Sequence, residues 1–202
     1  MINNNEKTIS TSNGEDLPVA TLCEPEFGYI VPRIAKFEKV SYEQFKADML
    51  DRLGDVLGNN EPLIQQIYND IKCPTRATKD SAGYDFYAPF SFKPTPGCGI
   101  VIPTGIRCRI NTGWVLKLYP RSGQGFKYGI HLYNTTGIID ADYFYADNEG
   151  HIMIKVGTKE ESEIINKGTA FCQGVFVPYG ITEDDDVDTV RTGGLGSTTE
   201  NK

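Results

Sequence analysis

From Asp85 to Pro178 the chain is a succession of short β-rich runs, and that spacing restricts its fold more than any other feature. The runs are 85–92, 99–110, 114–119, 130–133, 152–156 and 171–178, parted by Pro96-Gly97, Thr112-Gly113, Lys167-Gly168 and similar breaks. Strands this short, at such intervals, bury one face each and close on one another as a sandwich or barrel. Tyr29 to Val40 adds a strand before them, with alternation clearest from Ala35 to Glu38. The expectation is an all-β sandwich or barrel over residues 29–182.

One segment breaks the pattern. Ser41-Tyr42-Glu43-Gln44 reads as a capping box, and Phe45, Met49, Leu53, Val56 and Leu57 follow at helical spacing. Gly58-Asn59 ends that helix. Asn60 caps a second, with Pro62 in its first turn and Leu63, Ile64, Ile67, Tyr68 and Ile71 along one face. A helical hairpin is therefore expected over 41–71, packed on the β body and dispensable for chemistry. The ends differ in composition. Residues 1–28 read as a flexible tail, and Met1 to Asp16 lacks the apolar core and basic start of a secretory signal. Residues 183–202 read as a mobile arm, acidic from Glu183 to Asp188.

A net charge of −7 argues against broad nucleic-acid binding, which needs a basic stripe. It leaves room for a small polyanion held by a few arginines and backbone amides. No apolar run is long enough to span a membrane as a helix. Cys23, Cys73, Cys98, Cys108 and Cys172 form no CxxC pair, and neither His131 nor His151 sits in a zinc pattern. Reduced, buried thiols in a cytoplasmic protein are expected.

The densest chemistry lies in Gly137-Ile138-Ile139-Asp140-Ala141-Asp142-Tyr143, with Asn134 just upstream. Ile138 and Ile139 favour extended backbone, which would turn Asp140 and Asp142 to one face. An ionised carboxylate there can orient a water and take its proton, and a ring beside it can stack on a sugar or a base. A calcium loop does not fit. Position six from Asp140 is Tyr145 rather than Gly, and position twelve is His151 rather than Glu. Pro120-Arg121-Ser122-Gly123-Gln124-Gly125 follows a strand and offers a guanidinium, a hydroxyl and amides suited to phosphate. Gly193 to Thr198, preceded by Arg191, is Gly-rich but lacks the lysine of a P-loop. Ala82-Gly83-Tyr84-Asp85 opens a strand, and Gln173 is an amide within an apolar one.

These segments occur together and in one order. AGYDFYA (82–88), PRSGQG (120–125), NTTGIIDADY (134–143), GTAFCQGVF (168–176) and the 191–198 arm resemble the five motifs of the trimeric dUTPases, the dUTP nucleotidohydrolases, phage-borne members among them. The resemblance runs from about Pro74 to Thr199 and implies an all-β, jelly-roll-like fold. It implies hydrolysis of dUTP to dUMP and pyrophosphate with Mg²⁺ in a homotrimer whose sites are shared between subunits. It further implies Asp140 as the water-activating base and Tyr143 as the ring under the deoxyribose. Asn134 and the backbone of Gly137 and Ile139 would read the uracil edge. Arg121, Ser122, Gly123 and Gln173 would contact phosphate, Asp85 would hold magnesium through water, Arg191, Ser197 and Thr198 would close over the γ-phosphate, and Leu195 and Gly196 of the same arm would also bind substrate.

The chain departs from the family pattern at several points. Phe144 to Glu149 lengthens a turn that is usually much shorter. Leu195 stands where many members have a Phe that stacks on uracil, and Phe144 or Tyr145 could serve instead. The 191–194 spacing is one residue shorter than the commonest form, and 41–71 is an insertion. Two alternatives accompany the reading. One is dCTP deaminase, which shares the fold but needs a protonating carboxylate aimed at the cytosine amine. The other is a regulatory module that binds a protein partner through the insertions, as some family members do.

Overall fold

The computed structural model describes residues 8–10, 16–18, 31–189, 191 and 193. Residues before Ile34 form a unit of their own. There β1 (Thr8–Ser10) pairs antiparallel with β2 (Asp16–Pro18), within the stretch expected to be a flexible tail.

The body is built from antiparallel ladders. Its largest sheet has five strands: β4 (Thr75–Arg76), β5 (Tyr84–Tyr87), β12 (Ala170–Pro178), β8 (Trp114–Pro120) and β10 (Gly137–Ile139), in that spatial order. A second sheet sets β11 (Met153–Gly157) between β6 (Ile100–Pro103) and β9 (His131–Leu132). A third pairs β3 (Ala35–Lys39) with β7 (Ile106–Ile110). The alternation anticipated for half-buried strands is plain in β7, where Ile106, Cys108 and Ile110 are buried while Arg107 and Arg109 point outward. Phe86, Ile102, Leu116, Ile152 and Phe171 form the centre of the core. Phe37 joins it through rings at 5.3 Å (Tyr84), 5.7 Å (Phe86) and 5.8 Å (Phe176).

Several boundaries differ from the sequence expectation. The 99–110 run is two strands, parted at Thr104-Gly105, where Gly105 takes φ 71°. After Arg121 the chain enters a short helix, α3 (Ser122–Tyr128), where the sequence marked only the end of a strand. Of the described cysteines, Cys108 and Cys172 are buried but Cys73 and Cys98 are exposed. Burial pushes the Cys108 and Cys172 thiols up to about 12, which keeps them protonated and inert.

The inserted hairpin consists of α1 (Tyr42–Leu57) and α2 (Glu61–Asp70). Its caps form where the sequence places them. Ser41 Oγ accepts from the Gln44 amide at 3.1 Å, and Asn60 Oδ1 accepts from the Leu63 amide at 3.2 Å. Phe45, Met49, Ile64 and Ile67 are buried in the common core. Val56, expected on the inward face, is 84% exposed. The capping box is only half local: the Gln44 side chain donates to Asp48 at 2.8 Å instead of reaching back to Ser41. No helix among the described residues is long and apolar enough to cross a membrane.

Candidate active site

Sheet register assembles the first group of site residues. On β12, Gln173 lies opposite Asp85 of β5 on one side and Tyr119 of β8 on the other. Gly83 leaves room for the Gln173 amide, since a Cβ there would stand 2.8 Å from Oε1. Just beyond β8, Arg121 Nε meets Asp85 Oδ1 at 3.2 Å. Ser122 and Gly123 open α3; the Gln124 and Gly125 amides donate to the Arg121 carbonyl at 3.0 and 2.9 Å, which leaves the Ser122 and Gly123 amides as the open donors of the first turn. A carboxylate, an amide, a guanidinium and free backbone donors thus meet at one end of the large sheet. That donor set suits phosphate oxygens. It also suits Mg²⁺, which is bound through one or two carboxylates plus substrate phosphates and water rather than by an all-protein cage. Asp85 supplies such a carboxylate, and no cluster of three or more acidic, His or Cys ligands occurs among the described residues.

The second group hangs on β10. Its pairing with β8 sets Gly137 against Leu118 and Ile139 against Leu116. Ile139 is buried and Ile138 points outward, 53% exposed. Asn134 lies in the turn before β10, where its carbonyl accepts from the Thr136 amide and Thr135 takes φ 63°. The extended backbone expected through Tyr143 stops at Ile139. Asp140 caps a 3₁₀ helix, η1 (Ala141–Tyr145). The two carboxylates nevertheless converge: Arg191 Nη1 lies 3.3 Å from Asp140 Oδ2 and 3.2 Å from Asp142 Oδ1. Their side chains are about half exposed, 50% and 54%. Together with Arg109, Asn111, Tyr145 and Tyr179 they line an open cleft of ≈ 830 Å³.

Tyr143 is buried, with the Arg191 guanidinium 5.4 Å from its ring centre. Burial raises its phenol above the usual range, against the hydrogen bond from Asn148 and the nearby Arg191 charge. The hydroxyl therefore keeps its proton and donates to the His151 carbonyl at 2.9 Å. Of the two rings that could stand in for a stacking Phe, Phe144 is engaged by the Arg107 guanidinium at 4.3 Å. Tyr145 is 73% exposed and borders the cleft.

Among the described residues no side-chain hydrogen bond or ion pair joins the Asp85 group to the Asp140 group. Arg191 is with Asp140 and Asp142. Leu195, Gly196, Ser197 and Thr198 lie outside the described residues.

Sequence reasoning missed a second set of polar residues behind Tyr143: Asp48, Asn148, Glu149 and His151. Glu149 Oε2 and Oε1 accept from the Ser41 amide and hydroxyl at 2.7 and 2.6 Å. His151 Nδ1 meets Asp48 Oδ2 at 2.5 Å, across 103 residues of chain. The only sequence sign of these contacts was a helix face carrying Ser41, Gln44 and Asp48.

The sequence profile of the dUTPase family matches residues 69–199. A deoxyuridine 5′-triphosphate nucleotidohydrolase of Lactococcus lactis is 40% identical over 132 residues, 63% of this chain and 88% of that one. A crystal structure of a dUTPase from Streptococcus mutans is 33% identical, with a TM-score of 0.51 over 55% of this chain and 88% of that one. A dUTPase from phage phi11 of S. aureus, studied for the coordination of a structural Mg(II) ion, shares the fold at 21% identity. It has a TM-score of 0.51 over 78% of this chain and 98% of that one. The chain belongs to the dUTPase family.

Proposed function

We propose that the protein hydrolyses dUTP to dUMP and pyrophosphate, with Asp140 as the base. The observation that carries this reading is the Asp140 carboxylate, half exposed on the lining of the cleft and bonded to Arg191, whose guanidinium stands over the buried Tyr143 ring. Uracil pairs with the Asn134 amide, which offers both a donor and an acceptor, and with the backbone of Gly137 and Ile139. The deoxyribose lies on Tyr143, where an aromatic face leaves no room for a 2′-hydroxyl. Arg121, the Ser122 hydroxyl, the Gly123 amide and Gln173 hold the phosphates.

Asp140 orients a water in line with the α-phosphorus and takes its proton as the oxygen attacks. The new P–O bond forms as the bond to the bridging oxygen breaks, and the electron pair leaves with pyrophosphate. Arg121 neutralises developing charge, the main contribution in phosphoryl transfer. Mg²⁺, when bound through water to Asp85, supplies further positive charge to the triphosphate. Arg191 must leave Asp140 and Asp142 for the γ-phosphate, bringing Leu195, Gly196, Ser197 and Thr198 with it as a closing arm. The working form is a cytoplasmic homotrimer, in which one subunit supplies the Asp85 group and another the Asp140 group. Support comes from two exposed apolar side chains beside these groups, Phe126 (92%) and Ile138 (53%), which a subunit contact would cover. Reaction in ¹⁸O-water tests the chemistry. Label entering dUMP and not pyrophosphate is expected; label in pyrophosphate places the attack elsewhere and removes this role for Asp140.

A further inference from the structure

The segment that follows η1 is held from both sides. On its inner side, Tyr143 donates its hydroxyl to the His151 carbonyl at 2.9 Å, and Asn148 Nδ2 donates to that hydroxyl at 2.9 Å. On its outer side stands α1. Glu149 takes both the amide and the hydroxyl of Ser41, completing the helix cap that Gln44 leaves half made. Two turns along the same face, Asp48 accepts from Gln44 and meets the fully buried His151 ring. The tautomer follows from the partners. The Gly105 amide donates to His151 Nε2 at 2.7 Å, so Nε2 carries no proton and the Nδ1 proton goes to Asp48.

Left to itself this segment would not hold one shape. Glu149 and Gly150 take φ 56° and 68° in succession, the left-handed region that a Glu enters only when its surroundings repay it. A Cβ at position 150 would stand 2.6 Å from the Tyr143 carbonyl, so the backbone of 150 lies directly against that of 143. Any release of Glu149 or His151 therefore reaches Tyr143 through a few bonded and touching atoms.

We propose that Asp48, Glu149 and His151 are positioning residues: the helical insertion fixes the Tyr143 ring, and with it discrimination between deoxyribose and ribose. The inference rests on Tyr143 being the sugar platform. It reverses the expectation that the insertion is dispensable for chemistry.

The test uses the full-length protein with Glu149→Ala, Asp48→Ala and the conservative Asp48→Asn, whose amide oxygen can still accept the His151 proton. Steady-state kinetics with dUTP and UTP are run beside hydrogen exchange of the 143–151 amides. In Glu149→Ala the dUTP preference in kcat/KM should narrow roughly tenfold, a part of the roughly hundredfold that an ångström of misplacement can cost. The change should lie mainly in KM, because Asp140 is untouched. Exchange at 143–151 should quicken in both Ala variants and return toward wild type in Asp48→Asn. Glu149 lies nearer the surface than His151, so its variant decides the matter if Asp48→Ala does not fold. An unchanged dUTP/UTP ratio in folded Glu149→Ala overturns the proposal, as does unchanged exchange. A wild-type protein that does not turn over dUTP would refute the assigned reaction instead, and exchange would still decide whether α1 holds the segment.

Discussion

Two pairs of acidic residues flank Tyr143, and their surroundings are opposite. Asp140 and Asp142 are half exposed and share a single guanidinium at 3.3 and 3.2 Å. Asp48 and Glu149, on the other side, each accept two hydrogen bonds from the fold: Asp48 from Gln44 and His151, Glu149 from the amide and hydroxyl of Ser41. A carboxylate that must meet a water and a substrate cannot spend its lone pairs on the protein. One that fixes geometry must be anchored by the fold, since a buried group left without a partner costs about 1–3 kcal/mol. The difference runs parallel to the proposed division into acting and positioning groups, and it can be broken at either end.

The largest effect is expected on the exposed side. Asp140→Asn keeps the shape and removes the proposed base, so kcat should fall on the order of 10²-fold or more while dUTP still binds. Near-normal turnover would place the chemistry elsewhere. Next comes the close contact behind the ring. Gly150→Ala puts a Cβ into a backbone at φ 68° and against the Tyr143 carbonyl. A loss of roughly 2 kcal/mol or more in unfolding free energy is expected, read from a denaturant midpoint, because strain at such a site adds to the displaced backbone.

That contact also marks the limit of what the sequence could tell. The strand-rich body, the helical hairpin with its caps and the five motifs are local signals, carried by residues close together in the chain. So the residues later found around Asp140, Arg121 and Gln173 could be named beforehand. Asp48 and His151 could not, because they pair across 103 residues. The insertion's apolar stripe is legible in the sequence, but its polar contacts to Glu149 and His151 are not. The 3₁₀ turn after Ile139 was hidden for a related reason: Ile138-Ile139 favours extension, and what ends it is tertiary, namely the burial of Tyr143 and the approach of Gly150.

A smaller effect separates the ring from its hydroxyl. Tyr143→Phe keeps the stacking face and loses the bonds to the His151 carbonyl and Asn148, for about 1 kcal/mol of stability. Tyr143→Ala should in addition narrow the preference for dUTP over UTP; an unchanged kcat/KM ratio would separate the ring from sugar selection.

The smallest effect is in pH. Burial acts to raise the Glu149 carboxyl, but the hydrogen bonds from the Ser41 hydroxyl and amide and the charge of Arg107 outweigh it, and its pKa lies below the ordinary 4.5. A depressed folded-state pKa means that the staple contributes fully above 4.5 and is lost as pH falls through the lower folded value. Stability measured across that acid range should fall less steeply in Glu149→Gln than in wild type. Parallel curves would show that Ser41 and Glu149 are not coupled to folding.

Asp140, half exposed and bonded to Arg191 above the Tyr143 ring, is the group proposed to drive dUTP hydrolysis. Pyrophosphate release by the wild-type protein, compared across dUTP, UTP, dCTP and dTTP with Mg²⁺ present, tests it most directly. The account predicts release from dUTP, far less from UTP, and none of consequence from the other two. Turnover of dCTP to a uracil product, or release from UTP as fast as from dUTP, would contradict it.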